Sequence, residues 1–524
     1  MATPQFTELV TSLAFPIFSL ISIALGLLFL YVAVTIVAFV VFFIQESTQS
    51  TDGPPVAGTV FHQLIHFNAL HDYFTTLASK HRTFRLVKPS HSDIYTTDPA
   101  NIEHFLKNNF SNYIKGEFNY SIMKDLFGDG IFNVDGEKWR HQRKLASYEF
   151  STKVLRDFSS VVFRKTAAKL AKKLADVATT AAIVDMQDLL LKSTMDSIFK
   201  VGFGIELDTL SGTDEFGTRF SRAFDESNHI VFWRYVDVFW KAKRLFNVGL
   251  EAKLKRNLKV IDEFVFQIIR QKREQMQSRL ELKTKEDILS RFVLASETGA
   301  TMSDRYLRDI ILNFLIAGRD TSANNLSWFF YMLCKNPLVQ EKIVAEIQGL
   351  VGPETTPFDI DAFVDRLTQE ALDRMHYLHA ALTETLRLFP VVPVDGKFAA
   401  GDDKLPDGFK VRKGDGLNYL TYAMGRMTNL WGPDAEEFRP DRWLKNGAFL
   451  PESPFKFVSF NAGPRICLGK EFSYRQMKIL AATLLYFFKF KLEDESRTAT
   501  YKTMFTLHMD KGLSVILCPR LSHM

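Results

Sequence analysis

The sequence predicts a mainly α-helical chain that begins with a membrane-anchoring helix. Residues 9–45 contain no charged side chain. Residues 152–300 carry apolar side chains at helical spacing over long runs. Residues 303–335 continue that pattern for about 31 residues, roughly 46 Å of helix, enough to cross a whole domain. A strand pattern is legible only around residues 83–97.

The elements follow in order. The dense apolar part of the first segment, Leu20 to Ile44, is about 25 residues, enough for a bilayer core of roughly 30 Å. A cleaved signal peptide is the rival reading, but the apolar run is too long and no basic region precedes it. Neither flank carries Lys or Arg, so loop charge does not fix the orientation. Thr51 to Gly58 (TDGPPVAG) has two prolines and two glycines and reads as a hinge. The division is therefore 1–45 anchor, 46–60 hinge and 61–524 main folded part. His62, His66 and His71 recur at near-helical spacing, but no Cys or carboxylate stands at a matching offset for a metal. Thr83 to Thr97 alternates as two short strands around a turn. Asn101 to Asn108 reads as a short amphipathic helix, and Phe110 to Phe132 as an aromatic, Gly-punctuated loop. Long helices are expected over Val154–Ala175, Met186–Lys200, Leu250–Glu281 and Ile288–Ser296. Phe203-Gly204 and Asp214–Gly217 interrupt them, and Lys272–Lys285 reads as a solvated connector. Ser303 is a plausible N-cap for the longest helix, and Pro337 stops it.

Composition bounds the class. The chain has 524 residues, 48 of them Phe, which calls for a large apolar core or an apolar cavity. Its three cysteines cannot build a disulfide framework. The net charge of +5 is a mild bias for this length and gives no argument for nucleic acid.

One stretch carries the chemistry: FNAGPRICLG, Phe460 to Gly469. Gly463 and Gly469 bracket Cys467, leaving room for a flat ligand against the backbone. Arg465 places a positive charge two residues before the thiol. It can lower the thiol pKa or pair with an anionic group of a ligand. The helical pattern after Gly469 sets the thiol near a helix N-terminus, where negative charge is favoured. No second Cys or His lies at zinc-site spacing. A single thiolate beside glycine space suits haem iron.

Three further constellations are weak alone. Trp139 and Arg143 stand four apart on one helix face and could hold a carboxylate. AGRDTS, Ala317 to Ser322, interrupts the longest helix with Gly318 and sets Asp320 beside Thr321. The Thr hydroxyl can bond back to the Ala317 carbonyl. Glu384 and Arg387 (ETLR) form an i, i+3 pair, and Arg442 in FRPDRW adds a third charge.

Together, in this order, these motifs resemble the cytochrome P450 family, and the likeness covers nearly everything after the hinge. Longer stretches, among them DPANIEHFLKNNFSNYIKG, GDGIFNVDGEKWRHQRK and FLIAGRDTSANNLSWFFYML, resemble the microsomal fatty-acid ω-hydroxylases of the plant type. The resemblance implies a triangular helical prism with a small β-rich lobe and haem b bound between two helices. Cys467 would be the axial iron ligand. Phe460, Gly463, Arg465 and Gly469 would shape its loop, and Trp139, Arg143 and Arg465 would clamp the haem propionates. Ala317 and Gly318 would leave a groove for O2, with Asp320 and Thr321 handling protons. Glu384, Arg387 and Arg442 would lock the cysteine loop. The family most often has Phe where this chain has Trp443. Phe118, Phe132, Asn313, Phe314, Val391, Val394, Met504 and Phe505 fall in its substrate-contacting segments.

The function this implies is a monooxygenase at an aliphatic C–H bond, with terminal hydroxylation of a long-chain fatty acid expected. No flavin or nicotinamide fingerprint is present. Electrons would come from NADPH through NADPH–cytochrome P450 reductase, with cytochrome b5 a second candidate donor. Lys138, Arg140 and Lys144 are candidate docking charges; ordinary solvated side chains are the alternative. The resemblance implies a single-pass endoplasmic reticulum protein with its catalytic domain in the cytosol. Two rivals are a reductase-independent isomerase or lyase of lipid hydroperoxides and a non-catalytic haem-binding protein. Thr321 argues against the first, and the oxygen notch and the anchor against the second.

Overall fold

The computed structural model describes residues 52–520, except 89–90, 151, 179, 181, 213–214, 279–286, 299–301 and 353–358, together with scattered positions between 19 and 44. Among the described residues no helix is long and apolar enough to cross a membrane. Most of the expected anchor, residues 1–45, lies outside them.

The N-terminal part forms a sheet. Strand β1 (Val56–Thr59) pairs parallel with β2 (Thr83–Val87), with helix α1 (Leu70–Lys80) between them in sequence. The hinge expectation is corrected here: its second half is β1, because Val56 and Ala57 supply a short pairing segment once the two prolines have passed. β2 turns back antiparallel into β3 (Ser92–Thr96), as the alternation at 83–97 predicts. Asp98 then caps a short helix by accepting from Ala100 N at 2.8 Å, with Pro99 at the first position. That helix passes into a π-turn over His104–Asn108. β4 (Tyr113–Ile114) is followed by α2 (Gly116–Phe127). The loop expected over 110–132 is thus corrected to a helix. Its N-terminus is held by the Asp135 carboxylate, which accepts from Lys115 N at 2.9 Å and Gly116 N at 3.3 Å.

Helices α3 (Gly136–Phe150), α4 (Lys153–Ala178), α5 (Met186–Phe203), α6 (Glu215–Trp233), α7 (Gly249–Ser278) and α8 (Ile288–Thr298) follow. All but α6 and the full extent of α3 correspond to expected helices. The row Phe216, Phe220, Phe224 at i, i+4 was the available signal for α6. Helix α9 (Asp304–Lys335) runs through the core and packs along α5. Ser303 caps it by accepting from Tyr306 N at 3.2 Å. α10 (His376–Leu388) is buried along most of its length. β5 (Asp395–Ala399) and β6 (Gly416–Tyr419) complete a six-stranded sheet of order β1-β2-β3-β6-β5-β4. α11 (Lys470–Phe487) lies against α4 and α9, and the short hairpin of β7 (Tyr501–Lys502) and β8 (His508–Met509) reaches α9 near the C-terminus. The result is a mainly helical body with several small sheets.

Candidate active site

The cysteine loop lies between the end of β6 and α11, and α11 starts directly after Gly469, as the sequence predicts. Cys467 N–H donates to Phe460 O at 2.8 Å and closes the loop. The Phe460 ring packs on Tyr474 with centroids 5.2 Å apart. Gly463 has φ +63°, and a Cβ there would stand 2.1 Å from the Leu106 carbonyl oxygen. Its lack of a side chain therefore serves the fit of the loop against Leu106, which corrects the expectation of ligand room at this glycine. Gly469 keeps its open side: a Cβ there would meet only the Cys467 sulfur, at 3.9 Å. The thiol is exposed although protein surrounds it on nearly every side, so it opens into an interior hollow. Burial pushes the thiol pKa up, against the Gly469 N–H and the charges of Arg143 and Lys470.

Cations gather beside this loop. The Arg465 guanidinium stacks 4.5 Å over the Trp139 ring and donates to Val134 O at 2.9 Å and Asp135 Oδ1 at 2.7 Å. Its buried Nε has no partner. Arg143 is half-buried and has no ion-pair or hydrogen-bond partner among the described residues. Lys397, which the sequence reading missed, is 2% exposed, and its ammonium lies 4.2 Å over the Phe110 ring without a hydrogen-bond partner. Burial, then the nearby charges of Arg465 and Lys115, depress it to about 7. Lys115 itself is answered by Asp395 at 2.8 Å. The site thus holds more buried positive charge than its own carboxylates neutralise.

The lock is complete. Glu384 is fully buried and accepts from Arg387 twice, each at 2.7 Å, from Arg439 N at 2.9 Å and from Trp443 Nε1 at 2.8 Å. Arg442 Nε approaches at 3.4 Å. Ser459, just before the cysteine loop, donates to Leu386 O at 3.1 Å and ties that loop to α10.

In the central helix, every residue from Leu307 to Tyr331 is buried except Phe314, Ala317, Gly318 and Thr321. Their spacing of i, i+3, i+4 and i+7 is one face of an α-helix, so one stripe of a core helix borders open space. Thr321 Oγ1 donates to Ala317 O at 2.5 Å, as expected from the sequence. A Cβ on Gly318 would lie 2.6 Å from Ile198 Cδ1. The expected groove at this glycine is therefore corrected to a close crossing of α5 and α9, and the opening belongs to Ala317 and Thr321. Asp320 is 1% exposed and pairs with Arg319 at 3.2 Å and His508 at 3.6 Å. Burial alone raises its carboxyl, but Arg319 and His508 outweigh that and hold it below the ordinary carboxylate range. Arg319 reaches across to α6, where it pairs with Asp225 and donates to Ser221 Oγ at 3.2 Å.

The sequence profile of the family described as Cytochrome P450 matches residues 52–515. The chain belongs to the cytochrome P450 family. It is 54% identical to "Cytochrome P450 704C1" of Pinus taeda over 481 residues, 90% of this chain and 93% of that protein. It is 42% identical to "Cytochrome P450 704B1" of Arabidopsis thaliana over 511 residues (92% and 97%) and 40% identical to "Cytochrome P450 86B1" of the same plant over 453 residues (85% and 81%). Membership implies haem and electron supply from a redox partner.

The residues present in this cytochrome P450 fit haem. Cys467 offers one thiol to the hollow, with a helix N-terminus behind it. Arg143, Lys397 and the Arg465 Nε form a buried, under-neutralised cationic edge, which suits a flat ligand carrying two carboxylates on one side. Trp139 fixes the Arg465 plane from beneath.

The substrate expectations separate. The Phe505 ring stands edge-on to Phe127 at 6.3 Å, Phe232 at 5.1 Å and Tyr235 at 6.1 Å, and Phe118 meets Tyr235 at 6.0 Å. These residues form one aromatic wall, and Phe232 and Tyr235 were not found from sequence. Leu507 N donates to Val391 O at 2.9 Å, tying the Val391–Val394 turn to the segment of Met504 and Phe505. Val394 itself packs against the apolar cluster that includes Phe74, Tyr95 and Leu420. Asn313 is corrected. Its Nδ2 donates to Phe127 O at 2.9 Å and Asp309 O at 2.7 Å, and its Oδ1 accepts from Phe132 N at 3.4 Å. It ties Phe127 and Phe132 to α9, so its amide serves the packing of the chain. Phe314 lies on the open stripe while its ring touches Phe150 at 5.7 Å and Phe292 at 6.1 Å. Of the candidate docking charges, Lys138 pairs with Asp129 at 3.0 Å and Arg140 with Glu137, while Lys144 is exposed.

Proposed function

We propose that this cytochrome P450 hydroxylates the terminal carbon of a long-chain fatty acid. The observation that carries the reading is the open stripe of Phe314, Ala317 and Thr321 in a helix that is buried from Leu307 to Tyr331 apart from these and Gly318. It sets an apolar face and one hydroxyl against the space a substrate end would enter. The aromatic wall of Phe118, Phe232, Tyr235 and Phe505 adds apolar surface without charge, which suits an alkyl chain. The likeness of the long sequence stretches to plant fatty-acid ω-hydroxylases supports the same class.

Bound haem would supply the activation of O2, with one oxygen atom entering the C–H bond and the other leaving as water. The chain's own residues do the rest. Cys467 would hold the group from a loop pinned by Glu384 and its arginines. Arg143, Arg465 and Lys397, with Trp139 beneath Arg465, would orient it through its carboxylates. Thr321 and Asp320 would pass on the protons that the reaction consumes. NADPH and its reductase are the proposed electron source. The charge-free residues 9–45 support a membrane anchor, and the likeness to microsomal plant enzymes supports its place in the endoplasmic reticulum with the catalytic domain in the cytosol.

The test is reconstitution of the full chain with NADPH, NADPH–cytochrome P450 reductase and a panel of medium- to long-chain fatty acids, with products mapped by position. Terminal hydroxylation dependent on the electron donor is expected. Turnover of a lipid hydroperoxide without any donor would replace this reading with an isomerase or lyase. Cys467→Ala is expected to abolish the red-shifted Soret band of the reduced CO complex; its survival would remove Cys467 from the site.

A further inference from the structure

Asp320 has two ion-pair partners, and they differ in kind. Arg319 Nη1 lies 3.2 Å away and His508 Nε2 lies 3.6 Å away. A guanidinium does not give up its proton in proteins. It is also held from the far side by Asp225 and Ser221 on α6. Imidazole is the side chain that both takes and gives protons around neutral pH. His508 stands on β8, and its side chain is 15% exposed against 1% for Asp320. Its Nε2 faces a buried carboxylate, and part of its side chain is exposed. The charged groups around it are Asp320 and Arg319 on α9, Lys502 directly opposite on β7, and Asp510 beyond the strand.

We infer that His508 is a positioning residue for proton delivery, which loads Asp320 from solvent. The inference rests on the reading of Asp320 and Thr321 as the proton-handling pair. The step is a proton transfer alone. The proton leaves Nε2 of His508 and arrives on Oδ2 of Asp320, and His508 takes a replacement from water. The 3.6 Å separation is closed by a rotamer adjustment or bridged by one water. Arg319 stabilises the ionised carboxylate, so the proton is passed onward rather than retained. The Thr321 hydroxyl already donates to Ala317 O. Its oxygen is left to accept, on the open stripe and next in sequence to Asp320.

The experiment compares the full-length holoenzyme with Asp320→Asn and His508→Gln, using the reductase, NADPH and the fastest acid of the panel above. Gln preserves the size and an N–H donor, so a packing role survives the change and a proton-transfer role does not. The readouts are product and peroxide formed per NADPH, and the solvent deuterium isotope effect on turnover. In His508→Gln, product formation should fall roughly tenfold or more. The peroxide share should rise, the isotope effect should grow, and the thiolate CO band should be unchanged. Full coupling in His508→Gln while Asp320→Asn is crippled overturns the role of His508 alone. Full coupling in Asp320→Asn overturns the Asp320 reading and this one with it. His508→Asn is made in parallel. Loss of the thiolate CO band in both His508 variants would assign the residue to folding and also overturn the inference.

Discussion

Trp443 donates its indole N–H to Glu384 Oε2 at 2.8 Å, inside a site where Glu384 has no exposure at all. A buried carboxylate is costly unless its lone pairs are answered. Here Oε1 takes Arg387 and the Arg439 N–H, and Oε2 takes Arg387 and Trp443. The tryptophan is therefore more than a packing substitute for phenylalanine; it completes the coordination of the carboxylate that locks the cysteine loop.

Trp443→Phe keeps the ring and deletes that donor. Leaving part of a buried carboxylate unanswered costs about 1–3 kcal/mol. Denaturant unfolding of the holoprotein should show that loss, with haem release at a lower denaturant concentration than in the parent. Glu384→Ala should be worse, about 3–5 kcal/mol, because Arg387 is then left buried without its partner.

Gly463 and Gly469 flank the same cysteine, yet they should respond differently to alanine. At Gly463 the backbone is left-handed, and a Cβ would stand 2.1 Å from the Leu106 carbonyl oxygen. At Gly469 φ is −89° and the nearest atom is 3.9 Å away. Gly463→Ala should fail to retain haem and lose the thiolate CO band. Gly469→Ala should keep the haem-free fold, and its haem loss should be milder, coming only from the methyl entering the open side. Equal behaviour of the two variants would contradict this assignment of Gly463 to backbone fit.

Gly318→Ala should destabilise through α5 rather than through the haem side of the helix. The new methyl meets Ile198 Cδ1 at 2.6 Å. Overpacking of this kind costs about 1–3 kcal/mol. Ile198→Ala should restore much of that loss in the double variant, read as a coupling energy in a double-mutant cycle of unfolding free energies. Additive effects would exclude the contact.

What was legible in the sequence was local. The period of the apolar residues located most long helices, and FNAGPRICLG marked the thiol because its residues are contiguous. Trp139 and Arg143 were legible because four residues bring them onto one face. Residues joined only by tertiary topology were not. Lys397 reaches the cysteine loop from β5, His508 reaches Asp320 from the last hairpin, and Phe232 joins Phe505 across more than half the chain. Helix α2 was hidden because Gly and aromatic residues blur its period, and its start is held by Asp135 from beyond its end. For Gly318 and Gly463 the sequence shows that a side chain is missing, but only the fold shows whose atoms take the space.

Lys397 gives the sharpest pH signature. In the haem-free chain its ammonium is buried without a hydrogen-bond partner, and its pKa falls from 10.5 to about 7. Below pH 7 both folded and unfolded chains hold the proton, so folding bears the full cost of the buried charge. Between about 7 and 10.5 only the unfolded chain holds it, so this group's contribution to stability improves as pH rises. Lys397→Met should therefore stabilise the haem-free protein most below pH 7, and the gain should fade toward pH 10.5. With haem bound the sign reverses. Removing a charged donor from a carboxylate costs about 1.5–3 kcal/mol, which is roughly 10- to 100-fold faster haem loss to a scavenging globin. Equal haem release from parent and variant would remove Lys397 from the cationic edge.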